Sequence, residues 1–203
     1  MKPPGMLKAL LVILPLLLGC ILFLRYLPGF VQTSDDGALI FLAYGWTGIF
    51  LHEAGHAMAG KLMGFRMSVF RVVPIEVARR EGNMRWSWHT KISGGYLGIP
   101  QDESNLPLRT AIITAGGPAA NLITFLLCWY LLSEQALTGA AFGYARGLMI
   151  FSLFSAVLNL APLDFGASKT DGWRILEAVR QQASADRLKM SPKIARVLEA
   201  TWH

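Results

Sequence analysis

Residues 52–56 read His52-Glu53-Ala54-Gly55-His56. Two histidines at i and i+4, with a glutamate after the first, form the pattern of zinc-dependent hydrolases. The spacing has a physical reason. Residues four apart on a helix lie about 40° apart and one turn up, so both imidazoles can reach one ion. Glu53 is offset around the helix, where it can face a water instead of taking a ligand position. Ala54, Gly55, Ala57 and Ala59 leave room for close helix packing. The plainer reading is a polar cluster that stabilises helix contacts. Only four histidines occur in the chain, and two of them fall in this turn. His89 and His203 lie outside it and read as ordinary surface residues.

Catalytic zinc usually takes three protein ligands and keeps one position open. The third must come from elsewhere in the chain. Asp164 and Asp171 are the obvious supply, in the stretch Asn159-Leu160-Ala161-Pro162-Leu163-Asp164 to Asp171-Gly172-Trp173-Arg174. Asp171 opens a helical pattern with Trp173, Ile175, Leu176 and Val179 as its apolar positions, so it reads equally well as a helix N-cap. Spacing alone leaves both aspartates open.

These residues must be positioned by apolar elements. The 203 residues are 53% hydrophobic and 16% charged, with a mean hydropathy of +0.42. An average soluble domain is about a quarter charged. A disordered chain is excluded, because it needs low hydrophobicity and high charge. Two cysteines, Cys20 and Cys128, cannot build a disulfide framework. A membrane span needs about 20 apolar residues. Four segments qualify: about Ala9–Leu24, Ala38–Gly60, Ala111–Leu132 and Ala141–Leu163. The predicted fold class is thus an α-helical polytopic membrane protein of about four spans. Of 13 acidic residues, only Glu53 falls inside a predicted span. Ionisable groups there are costly and are functional candidates by default. Leu17-Leu18-Gly19-Cys20 has the look of a lipoprotein signal, but the apolar run continues through Leu24, which favours a retained anchor helix.

The net charge of +6 and pI near 9.6 follow positive-inside sorting and imply no nucleic-acid partner. Seventeen of the nineteen lysines and arginines fall at the N-terminus, between the second and third spans, or after the fourth; only Arg25 and Arg146 fall on the other side. Both termini are expected in the cytoplasm. The motif then lies roughly 21 Å into the second span, in the cytoplasmic half of a core about 30 Å thick. Between the second and third spans, a β-hairpin is expected over about residues 67–91, with Glu81-Gly82-Asn83 as its turn. Pro74 would put its first strand at an edge or bulge. Met84, Trp86, Trp88 and Thr90 share a face suited to a membrane interface, and Gly94–Gly98 reads as a flexible connector.

Three blocks together resemble the site-2 protease family of intramembrane zinc metalloproteases. They are Phe50-Leu51-His52-Glu53-Ala54-Gly55-His56-Ala57, then Ala115-Gly116-Gly117-Pro118-Ala119-Ala120-Asn121, then Asn159-Leu160-Ala161-Pro162 followed by Asp171-Gly172-Trp173-Arg174-Ile175-Leu176. The resemblance implies a three-helix protease core over residues 38–176, with residues 1–37 an added anchor and short outer loop, and 177–203 a cytoplasmic helical tail. It implies Zn(2+) as cofactor, His52, His56 and Asp171 as its ligands, and Glu53 as the catalytic glutamate. Eight residues separate Pro162 from Asp171, more than in the commonest family form, and Asp164 stays as the alternative ligand. Asn121 and Asn159 occupy family positions, and the resemblance assigns them to substrate binding. For Asn121 the plainer reading is a hydrogen bond between helices. Gly116, Gly117 and Pro118 read as packing and kink residues. The hairpin resembles the family's membrane-associated sheet, which would add an unwound substrate as a strand.

The implied activity is zinc-dependent cleavage of peptide bonds in or near transmembrane segments, with a transmembrane protein as substrate and the lipid bilayer as surroundings. Family and size point to the inner membrane of a bacterium. A non-proteolytic zinc protein that regulates a partner is the alternative, but a purely structural site needs no general base. A metal transporter would want charged residues in several spans, and the first and third have none in their interiors.

Overall fold

The structure is a computed structural model and describes residues 37–88, 94–166 and 168–184. The first expected span, Lys91, His89 and His203, and the end of the tail lie outside the described residues. Four helices and one sheet make up the rest. Helix α1 is Gly37–Leu62, α2 is Leu106–Ser133 and α3 is Gly139–Leu160. Residues 171–184 form α4. Between α1 and α2 lie strands β1 (Phe65–Val72), β2 (Ile75–Arg80), β3 (Asn83–Trp88) and β4 (Gly95–Pro100).

Helices α2 and α3 are each long and apolar enough to cross a membrane. Helix α1 has the length, with 26 residues, but its C-terminal half carries His52, Glu53, His56 and Lys61 in place of a continuous apolar run. The outer face of α2 is apolar and bare: Ile123, Leu126, Leu127 and Tyr130 are all more than half exposed. Their spacing is one helical stripe. A stripe of that kind is what lipid covers, while small and polar residues take the inside. Asn121, Ser152 and Ala156 are fully buried there, and Leu148, Met149 and Cys128 pack beside them. The α3 helix stops at Leu160, three residues before the expected end. Ala161 is extended because a following proline disfavours helical backbone at that position.

The expected two-stranded hairpin is a four-stranded antiparallel sheet in the order β3-β2-β1-β4. The run read as one strand from Met67 to Arg80 is two strands, folded at Val73-Pro74 so that Val72 faces Ile75. Pro74 therefore sits in a turn, and β1 is interior; the bulge falls between Met67 and Val69, opposite β4. The turn between β2 and β3 is Glu81-Gly82, with Asn83 already paired to Arg80. The segment read as a flexible connector is β4. Its glycines disguised it, because glycine is depleted in strands. Here Gly98 leaves space for the Tyr96 hydroxyl, which a Cβ would meet at 2.6 Å.

The sheet lies back along α1. Trp46 Nε1 donates to Val73 O at 2.7 Å, Trp46 stacks on Phe50, and Phe50 meets Phe70 edge-on. Arg109 of α2 ties the corner. It donates to Met63 O at 2.6 and 2.8 Å, pairs with Asp102 at 2.6 Å and covers the Phe65 ring.

Candidate metal centre

Helices α1 and α2 touch backbone to backbone beside the histidine turn. A Cβ on Gly55 would lie 2.3 Å from Gly116 O, and one on Gly116 would lie 2.5 Å from Gly55 O. Small residues at such a crossing let helix axes approach closely. That approach brings α2 against both imidazoles. His56 Nδ1 lies 2.8 Å from Ile113 O, and His52 Nδ1 lies 3.1 Å from the Asn121 amide nitrogen. The two Nε2 atoms converge to 3.1 Å.

Asp171 completes the cluster from the far side of the sequence. Its Oδ2 lies 3.1 Å from His52 Nε2 and 3.4 Å from His56 Nε2. All three residues are buried. Burial by itself would raise the Asp171 carboxyl, but hydrogen bonds and charge from His52 and His56 outweigh it and hold the group down at about 2. The helix-capping role that competes for Asp171 in the sequence is taken by Thr170. Its Oγ accepts from Trp173 N at 3.4 Å, as an N-cap hydroxyl does.

The long linker after Pro162 is a closed loop. Leu163 N donates to Thr170 Oγ at 3.0 Å, Thr170 N donates to Leu163 O at 3.1 Å and Phe165 N donates to Ser168 O at 2.9 Å. Its ends meet, so Asp171 returns close to where Leu163 leaves. Gly172 permits that return: a Cβ there would lie 2.0 Å from Leu160 O. Asp164 stays inside the loop, where its backbone pairs with that of Lys169 and its carboxylate accepts from Gly166 N at 2.8 Å.

The family model of peptidase family M50 matches residues 40–146, more than half of the chain. The chain belongs to peptidase family M50, the site-2 protease family. No curated protein and no solved structure matches it significantly. An M50 chain is a metalloprotease, and with two apolar spans it is a membrane protein. The match includes the histidine turn, the sheet and Asn121, and it ends before Asp171.

The cluster fits a metal ion by its own dimensions. Ligand atoms about 2.0–2.1 Å from a tetrahedral centre lie roughly 3.3 Å apart. The three separations here are 3.1, 3.1 and 3.4 Å. The space they face is kept open by Gly117, whose Cβ would lie 2.4 Å from His56 Nε2 and 2.7 Å from His52 Nε2. The sequence had marked Gly117 as a packing residue only. Its signal, a glycine pair before a proline, does not say that an ion-sized space lies beside it.

Glu53 is buried next to the cluster. It meets the sheet at Gly94, where a Cβ would lie 2.6 Å from Glu53 Oε1. The start of β4 therefore lies over the glutamate. Asn121 is fully buried and bonds Ser155 of α3 at 2.8 Å as well as His52. Asn159 is separate from the cluster and donates back to Ser155 O and Oγ at 3.0 and 3.3 Å. Ser155 thus joins the two asparagines, a link that no spacing in the sequence points to.

Proposed function

We propose that this M50 chain is a zinc-dependent intramembrane endopeptidase that cleaves peptide bonds in or near transmembrane segments of other membrane proteins. Its home would be the inner membrane of a bacterium, with α1, α2 and α3 as core spans, the N-terminal segment as an anchor, and both termini in the cytoplasm. The observation that carries this reading is the convergence of His52, His56 and Asp171 with Glu53 buried beside them.

His52 and His56 would bind zinc through Nε2 and Asp171 through its carboxylate. Held there, zinc supplies a Lewis acid that polarises the scissile carbonyl and brings the pKa of a water to about 7. Glu53 takes the proton of the attacking water on its carboxylate and passes it to the leaving nitrogen as the C–N bond breaks. Water would reach this depth from the cytoplasmic side, the side on which this topology puts α4 and the loop before it.

A helical substrate hides its carbonyls, so it must unwind. Strand β4 supports how it is then held. Among the described residues it pairs on one side only, with β1, and it begins one residue after Gly94. An extended segment added to its free edge would run about 4.8 Å away and pass beside Glu53. Main-chain bonds of that kind give affinity without demanding a sequence. Asn159, near the end of α3, would contact the same segment.

Glu53→Gln is the test, with the chain and a model transmembrane substrate reconstituted in vesicles. Cleavage should fall by about 10²–10⁴-fold, the usual contribution of a general base, with bound zinc unchanged. Full cleavage by the variant would overturn the mechanism. A wild-type chain that binds zinc but cleaves nothing would favour a regulatory zinc protein.

A further inference from the structure

Asn121 has no exposed surface. Its Nδ2 lies 3.1 Å from His52 Nδ1 and 2.8 Å from Ser155 Oγ, while its Oδ1 is buried without a hydrogen-bond partner among the described residues. A side-chain amide has a donor end and an acceptor end of nearly equal shape, exchanged by a half-turn. The two orientations demand different protonation of His52. With Nδ2 toward the ring, Nδ1 accepts and the proton sits on Nε2, which donates to Asp171 Oδ2 at 3.1 Å. With Oδ1 toward the ring, Nδ1 carries the proton and Nε2 has a free lone pair. Ser155 serves both cases, because a hydroxyl donates and accepts. In each case the outer end of the amide has no partner among the described residues, so the choice is made at the His52–Ser155 end.

His56 has no such choice. Its Nδ1 lies between two backbone groups that cannot turn, the Ile113 carbonyl at 2.8 Å and the Gly117 N–H at 3.2 Å; the nearer carbonyl can only accept, which keeps the proton on Nδ1 and leaves Nε2 free. Of the two histidines, His52 alone depends on a partner that can work either way. A ligating histidine is held by what its other ring nitrogen donates to.

We propose that Asn121 is a positioning residue for His52. Its amide turns Oδ1 toward Nδ1 and so fixes the tautomer in which Nε2 can hold a metal ion. This departs from the substrate-binding role that the resemblance assigns to Asn121, and it rests on the zinc-site reading above.

The test is the zinc dissociation constant of the detergent-purified chain, measured by competition with a chromophoric chelator. Asn121→Leu keeps the shape and removes the acceptor, and zinc should bind about 10–100-fold more weakly. Asn121→Asp keeps an acceptor and cannot donate, so its affinity should stay near that of the unaltered chain. Wild-type affinity in Asn121→Leu would overturn the proposal, as would equal weakening in both variants. Should Asn121→Leu fail to fold, Asn121→Asp decides: retained affinity supports the proposal and a loss of about 10-fold or more overturns it. An unaltered chain that binds no zinc would overturn the metal-site reading, and this proposal with it.

Discussion

At Gly55 and Gly116, α1 and α2 approach until carbonyl oxygens occupy the space a methyl group would need. On β3, by contrast, Trp86 and Trp88 are 69% and 70% exposed and meet edge to face. Both regions are rich in large or small apolar residues, yet one is packed to contact and the other is held open. The candidate metal centre sits in the packed region, where each imidazole has a buried partner from α2. Among the described residues β3 is an outer strand of the sheet, and it carries a face suited to a membrane interface. The sheet returns to the packed region at its opposite edge, where Gly94, just before β4, lies over Glu53.

Substitutions test that contrast. The largest effect is expected in the packed half. Asp171→Ala should weaken zinc binding by more than the ~10–100-fold that follows loss of a ligand's hydrogen-bond partner, whereas Asp164→Ala should bind as the unaltered chain does. The reverse result, read by metal content after dialysis, would assign the ligand to the loop. Next in size, Gly55→Ala forces a Cβ against Gly116 O and should cost roughly 1–3 kcal/mol or more, as overpacking does. Thermal unfolding in detergent measures it, and an unchanged midpoint would mean that the helices can separate there without penalty. The smallest effect belongs to the sheet. Exchanging Trp86 and Trp88 together for Ser should change unfolding free energy by only about 0.5 kcal/mol per site and leave zinc affinity alone. A loss of zinc in that variant would make the sheet part of the centre.

The histidine turn was legible because its geometry is local: one helix turn fixes His52, Glu53 and His56 relative to one another. The apolar lengths likewise located α2 and α3 to within a few residues. Asp171 was not legible from spacing, because a loop of closed ends makes sequence distance a poor guide to position. The role of Gly117 was hidden for a related reason, since what it leaves free is defined by α1, about sixty residues away. Strand β4 was missed because its two glycines and Pro100 carry the composition of a connector, and only pairing with Phe70 and Val69 of β1 makes it a strand. Thr170 as the cap that frees Asp171 could have been found: a threonine directly before the helical pattern is a standard start signal.

The loop between Leu163 and Thr170 has a practical meaning. Because its two ends are stapled together, whatever hangs beyond them is decoupled from the ion site. Closure entropy rises only by about 0.6 kcal/mol for each doubling of loop length. The tip around Phe165 and Gly166, with Phe165 more than half exposed, is therefore a natural port for an inserted tag or a fluorescent reporter. A label there would sit a few residues from Asp171 in sequence while leaving that carboxylate in place.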